Sequence, residues 1–189
     1  MFKKFLGYFR DKTPAYALYS KLVEAARHPS FYEDYGVDDS VDGRFDMILL
    51  HMFLVINRLD KAEAPIGYLS RDIQEAMVAD MDRSLREMGV GDMMVGKQVK
   101  FMGKAWFGRQ EGYLAALNGD RMAANLQEAL HRNVYRGAGG VKATASAALK
   151  DYTLAAIKVL DSSEDDAILK ATFGFADPTE FAPKPDAGE

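Results

Sequence analysis

Residues 44–59 have the sequence RFDMILLHMFLVINRL, and this stretch decides the fold. Between Met47 and Ile56 every residue except His51 is apolar. Sixteen residues are more than a typical strand contains, so the stretch predicts a helix. At 1.5 Å per residue this helix is about 24 Å long, which is shorter than the hydrocarbon core of a bilayer. We therefore expect a central helix that is buried on all sides.

Apolar residues recur at helical spacing on both sides of this segment. They predict further helices at about residues 13–27, 70–88, 95–117, 120–134 and 143–160. Ser70 is expected to cap the second of these. No pair of segments has the alternation typical of paired strands. The sequence therefore predicts an all-α, single-domain bundle of about six to seven helices around the central helix.

Composition narrows the class of protein. The chain has 189 residues, 48% apolar and 28% charged, which are ordinary values for one globular domain. It has no cysteine, which excludes disulfides, cysteine-ligated metals and a thiol nucleophile. Its net charge of −4 disfavours DNA as a partner. With no apolar run of membrane-spanning length and no secretory pattern, we expect a cytoplasmic protein.

Both ends differ from the helical domain expected at residues 13–161. Residues 1–12 form a basic amphipathic segment, which either docks on the core or contacts an anionic membrane at the inner face of the cytoplasmic membrane. The membrane-contacting residues would be Phe2, Lys3, Lys4, Phe5 and Phe9. Residues 162–189 are acidic and contain proline, which predicts a tail that is extended or disordered beyond about Thr179.

The helix predicted at 70–88 carries a dense cluster of charges, namely Asp80, Asp82, Arg83, Arg86 and Glu87. Two i, i+4 pairs are possible on one helix face, Asp82 with Arg86 and Arg83 with Glu87. One interpretation is a solvated, salt-bridged surface. The other is a polar clamp in which Asp80 reaches Arg44 or Lys97 on a neighbouring helix.

A row of lysines, Lys97, Lys100 and Lys104, lies opposite the apolar stripe of the next helix. Such a row is either simply solvated or contacts RNA phosphates, lipid headgroups or an acidic partner. The chain's three histidines lack metal-binding spacing, and His51 is expected to be a hydrogen-bonded core residue. No nucleophile, metal set or phosphate cradle accompanies the acids, so we expect no cofactor and no enzymatic activity.

Several blocks of the sequence resemble the ubiquinol–cytochrome c chaperone family. They are VDGRFDMILLHMFL at 41–54, DMDRSLREMGVGD at 80–92, KQVKFM at 97–102 and FGRQEGY at 107–113. The aromatic-rich stretch from Tyr19 to Tyr35 also fits, so that the resemblance covers roughly residues 15–135. Residues 1–12 do not have the composition of a mitochondrial targeting segment, so we expect the chain to be more similar to a bacterial member.

The resemblance implies an all-helical, non-enzymatic assembly factor for respiratory complex III that binds newly made cytochrome b. Mitochondrial members work with a small partner protein near the ribosomal tunnel exit. A binder of apolar helices needs a groove with flexible side chains and a polar rim. We expect Met77, Met81 and Trp106 to floor that groove, and the rim to consist of Arg44, Asp46, Asp80, Asp82, Arg83, Arg86, Lys97 and Lys104.

The residues, considered without the resemblance, are also compatible with two other functions. A helical adaptor would bind another protein, RNA or the ribosome through its charged surfaces, and would present a flat charged face. An enzyme would use Asp80 and Asp82 in a closed polar pocket. A chaperone would instead present exposed apolar side chains between the helices predicted at 44–59, 70–88 and 95–117.

Overall fold

The central helix α3 (Val41–Leu59) belongs to a computed structural model that describes residues 12–62, 66–137 and 141–183. Ser40 caps this helix, because its hydroxyl accepts a hydrogen bond of 3.1 Å from the Gly43 amide. Every residue from 47 to 59 except Ile48 is buried. The prediction of a central helix buried on all sides is confirmed, and the helix begins almost one turn earlier than expected.

The other described α-helices surround α3. They are α1 (Thr13–Ala26), α2 (Ser30–Glu33), α4 (Leu69–Glu87), α5 (Asp92–Asn118), α6 (Met122–Val134), α7 (Val141–Asp161) and α8 (Asp165–Leu169). Of these, α1, α4, α5, α6 and α7 all contact α3. The described ranges contain no strand, which confirms the all-α class. Ser70 does not cap α4: the helix begins at Leu69, and the Ser70 hydroxyl donates to Asp60 Oδ1 at 2.6 Å.

His51 lies in the core of the bundle and is fully buried. Its Nδ1 is 2.9 Å from the Met47 carbonyl oxygen, and its Nε2 is 2.8 Å from the Tyr152 hydroxyl. Because a carbonyl only accepts, Nδ1 carries the proton and Nε2 accepts from the hydroxyl. Burial lowers the pKa of His51 to about 4, so the ring is neutral. The prediction of a hydrogen-bonded core histidine is confirmed.

Residues 162–183 pack onto the bundle instead of leaving it. The buried Arg58 guanidinium on α3 donates to the Ser163 carbonyl at 2.8 Å and pairs with Asp165 at 2.5 Å. Further along, Phe173 is buried, and the Tyr35 hydroxyl donates to the Pro178 carbonyl at 2.7 Å. The packed domain therefore continues beyond the boundary predicted at residue 162. The acidic composition of this segment does not reveal its contacts with residues that are far away in the sequence.

The basic amphipathic segment expected at residues 1–12 lies outside the described residues, apart from Lys12. The Lys12 ammonium pairs with Glu75 on the second turn of α4 at 2.7 Å. None of the helices in the described ranges is both long enough and apolar enough to cross a membrane.

Candidate functional site

A groove of about 340 Å³ lies where α3, α4 and α5 meet, with α1 along one side. We call it the apolar groove, because most of its lining side chains are apolar: Val41, Phe45, Ile48, Met81, Leu85, Met88, Phe101 and Met102. Polar side chains from α1, α3, α4 and α5 complete the lining, namely Tyr19, Arg27, Asp42, Arg44, Asp80, Ser84 and Gln98. The site therefore combines an apolar surface with a charged rim.

Three large apolar side chains of the groove are open to solvent. Val41 is 68% exposed, Met88 56% and Phe101 69%, whereas Met81 and Leu85 between them are buried. Val41 is the first residue of α3, and Met88 directly follows the last residue of α4. A cluster of exposed apolar residues with a polar rim is typical of a protein-binding surface.

Tyr19 and Asp80 form one wall of the apolar groove. The Tyr19 hydroxyl donates to Asp80 Oδ2 at 2.9 Å, and Asp80 Oδ1 accepts from Arg83. Burial, followed by the nearby Asp80 carboxylate, raises the pKa of Tyr19, so the hydroxyl stays protonated. One of the two interpretations of this charge cluster had Asp80 reach Arg44 or Lys97, and the structure gives Asp80 a different partner on a neighbouring helix. The partner is Tyr19 on α1, neither Arg44 nor Lys97.

A second groove, of about 770 Å³, runs between α1 and α4 on the other side of this wall. We call it the polar groove, because charged side chains line it: Glu24, Arg27, Asp80, Arg83 and Glu87. Tyr19 and Asp80 line both grooves. Arg27 and Ser84 also line both, so the two grooves adjoin at the α1–α4 boundary.

Of the residues predicted to bind a partner, the structure brings Arg44, Asp80 and Met81 together in the apolar groove. Arg44 is fixed there by Asp39, whose carboxylate lies 2.6 Å from its Nε, and by the Tyr32 ring, whose centroid is 5.9 Å away. The hydrogen bond from Arg44 lowers the pKa of Asp39. The rim of the groove thus carries an exposed ion pair whose guanidinium lies over an aromatic ring.

Three other predicted residues belong to the interior. Met77 and Trp106 are each 1% exposed, and the Trp106 indole donates to Gln74 at 3.0 Å. Asp46 is also buried, where its carboxylate accepts from Arg109 at 2.6 Å and from Arg136 at 3.3 Å. Burial raises the pKa of Asp46, against the effect of the two arginines. These side chains stabilise the bundle and are not exposed to a partner.

The remaining predicted residues lie outside the apolar groove. Arg83 lines the polar groove, and its expected pair with Glu87 is replaced by one with Asp80. The expected pair of Asp82 with Arg86 forms at 2.7 Å, and Arg86 also reaches Asp92 at the start of α5. The two predicted lysines, Lys97 and Lys104, are exposed on the outer side of α5. Their roles in binding stay predictions.

Sequence reasoning missed several residues of the apolar groove, among them Val41, Phe45, Ile48 and Phe101. A usable signal was present, because Phe101 lies off the inner stripe that Val95, Val99 and Trp106 mark on α5. A large apolar residue outside the buried stripe is a candidate for binding. Which of these outlying residues meet across the groove depends on how the helices pack.

The described residues of the groove are arranged for binding. Asp80 is held by Tyr19 and Arg83, and no group of three or more potential metal ligands occurs in the described ranges. Asp80 also borders the polar groove, and in the apolar groove exposed apolar side chains line an open surface between α3, α4 and α5. This is the arrangement that was expected of a chaperone.

Comparison with known proteins gives two matches. The family model for the ubiquinol–cytochrome c chaperone matches residues 33–175, about three quarters of the chain, including α3, α4 and α5. A crystal structure of the Cbp3 homolog from Brucella abortus matches with 31% identity and a TM-score of 0.75, covering 88% of this chain and 91% of that one. A search of curated proteins gives no match. The chain belongs to the ubiquinol–cytochrome c chaperone family.

Proposed function

We propose that this chaperone binds newly made cytochrome b, and that the apolar groove holds an apolar segment of that client until respiratory complex III is assembled. Family membership supports a role in assembly of the complex. We choose this groove as the client site because three exposed apolar side chains line it, namely Val41, Met88 and Phe101.

The groove suits a helical segment of the client. A helix presents apolar side chains at i, i+3 and i+4, and an open groove between helices receives such a row. Three of its lining residues are Met81, Met88 and Met102, whose unbranched side chains adapt to different shapes. At the rim, Arg44 and Asp80 offer charges to the polar residues that flank an apolar segment.

Site-specific photocrosslinking in cells tests this proposal. Probes at Val41, Met88 and Phe101 should each crosslink to cytochrome b. A probe at Lys158, which is exposed on α7 away from the groove, should not. Crosslinks from the groove only to a ribosomal protein, a small partner protein or another soluble protein would reject the client and favour the adaptor function.

A pair of matched substitutions separates binding from folding. Met88→Asp introduces a charge into the groove, whereas Val78→Asp introduces the same charge on α4 outside both grooves, at a residue that is 42% exposed. We expect Met88→Asp to reduce recovery of cytochrome b with the chaperone by about tenfold or more, because a desolvated charge opposes burial of an apolar partner. Both variants should melt like the wild type. Equal recovery with the two variants would contradict the proposal.

The chaperone would act where the client enters the bilayer, at the inner face of the cytoplasmic membrane. The residues predicted to contact lipid, Phe2, Lys3, Lys4, Phe5 and Phe9, lie outside the described residues, so this contact is part of the proposal. The ribosome and a small partner protein stay candidate partners, and the crosslinking experiment detects both.

A further inference from the structure

A row of five exposed side chains runs along the outer side of α5. It consists of Met93, Lys97, Lys100, Lys104 and Phe107. At 100° per residue these side chains fall within a sector of about 80°, and they extend over about 21 Å of the helix. Met93 is 87% exposed and Phe107 is 62% exposed, so each end of the row has an apolar side chain that is exposed to solvent. We call this row the lysine face.

The rest of the described chain leaves this side of α5 uncovered. A Cβ placed on Gly96, Gly103 or Gly108 would meet no heavy atom within 4 Å. Met93 and Phe107 are not among the residues that line the apolar groove, and neither is any of the three lysines. The lysine face therefore shares no residue with the apolar groove, which is the proposed client site.

The charge of this face differs from that of the whole protein. Residues 93–110 contain no aspartate or glutamate, although the chain has 28 acidic residues and a net charge of −4. The nearest acids along the helix are Asp92, which pairs with Arg86, and Glu111. Within the described ranges, the three lysines pair with no carboxylate. Over residues 93–107 the face is thus positively charged without a paired carboxylate, and Glu111 follows on the same side of the helix, about 10 Å beyond Lys104.

We propose that the lysine face docks on an anionic lipid bilayer, with α5 lying parallel to the membrane plane. Each lysine contributes electrostatic attraction to anionic headgroups, and its long stem lets the ammonium stay at headgroup level while Met93 and Phe107 enter the boundary with the acyl chains. The row combines three lysines with an exposed apolar side chain at each end, which are the two kinds of contact that an anionic bilayer surface accepts. Phe107 also lines an open groove with Gln110 and Glu111, and neither Met93 nor any of the three lysines belongs to that groove. Arg109 points inward to Asp46, so the face lacks the arginine typical of RNA recognition.

Flotation of the purified full chain with lipid vesicles tests this inference without any client. Binding is expected to vesicles of equal parts phosphatidylglycerol and phosphatidylcholine, and not to pure phosphatidylcholine. Replacing Lys97, Lys100 and Lys104 together with glutamine should lower the partition coefficient by about a hundredfold at low salt. The single substitution Phe107→Ser should lower it by about tenfold.

Two matched variants assign the effect to this face. The first changes Lys61, Lys158 and Lys170 to glutamine, which removes the same charge from α7 and from the residues that follow α3 and α8. It should bind vesicles far better than the α5 variant. The second changes Phe2, Phe5 and Phe9 to serine in the full chain. Vesicle binding that is absent in the wild type, lost equally in both lysine variants, or lost only in the phenylalanine variant would overturn the inference. So would α5 probes that crosslink in cells only to RNA or to a soluble protein.

Discussion

The Tyr19 hydroxyl donates a 2.9 Å hydrogen bond to Asp80, and this bond joins α1 to α4 at the wall between the two grooves. Both side chains are less than one third exposed, and Asp80 is also bound by Arg83. A partly buried hydrogen bond to a charged acceptor is among the stronger kinds. The wall is therefore part of the stability of the bundle as well as of the shape of the groove.

Breaking this wall should have a measurable cost in stability. We expect Asp80→Ala to lower the free energy of unfolding by about 1–2 kcal/mol, because the Tyr19 hydroxyl loses its acceptor. Tyr19→Phe should cost about 1 kcal/mol, and the double variant should show coupling of similar size in urea unfolding. The exposed Asp82 serves as control, and Asp82→Ala should change nothing measurable. Equally small effects of the two aspartate substitutions would contradict this role for Asp80.

Asp46 should be far more sensitive than any residue at the rim. Its buried carboxylate accepts from Arg109 at 2.6 Å, and the Arg109 side chain is itself only 18% exposed. Asp46→Ala leaves that guanidinium without its partner and is expected to destabilise the protein by about 3–5 kcal/mol in urea unfolding. Arg136→Gln is the control, because Arg136 is 55% exposed and its loss should cost much less. A stable Asp46→Ala variant would reject a structural role for this pair.

His51 should make the protein less stable in acid. Its pKa is lowered from 6.5 to about 4 in the folded state, so the unfolded chain binds more protons between these values. The free energy of unfolding should therefore fall as the pH drops from 6.5, by about 3 kcal/mol at most from this residue. Urea unfolding at several pH values measures the slope. His51→Gln should flatten the slope in this pH range, and an unchanged slope would contradict the assignment.

The methionines of α4 should divide into two groups. Met77 is 1% exposed, so Met77→Asp places an unpaired carboxylate in the core and should cost more than about 4 kcal/mol or prevent folding. Met88 is 56% exposed at the end of the same helix, and Met88→Asp should leave the melting temperature nearly unchanged. Circular dichroism during heating compares the two variants. Equal melting temperatures would show that Met77 is not a core residue in solution.

The helices could be predicted from residues 44–59 and from the apolar stripes before and after them. A helix with one buried face has apolar residues at regular spacing along the chain. His51 was also interpretable, since a single polar residue in an all-apolar helix needs a buried hydrogen-bond partner. The sequence could not identify this partner as Tyr152 on α7, because the two residues are 101 positions apart.

The candidate site was predictable only in part. The groove was expected between the helices at 44–59, 70–88 and 95–117, and it lies there. Which residues line the groove was not predictable. The sequence of a helix does not show whether a given side chain faces a groove, solvent or a buried partner. Asp46 resembles a rim residue in sequence, but Arg109 and Arg136 enclose it in the folded chain.

The sequence by itself determined the six long helices and the family blocks, because these depend on residues close together in the chain. Only the tertiary structure decided that Tyr19 meets Asp80 and that Phe101 lines the groove with Met88. It also decided that residues 162–183 complete the bundle. Such contacts depend on how whole helices pack. Two side chains that are far apart in the sequence can touch in the fold without producing any local sequence pattern.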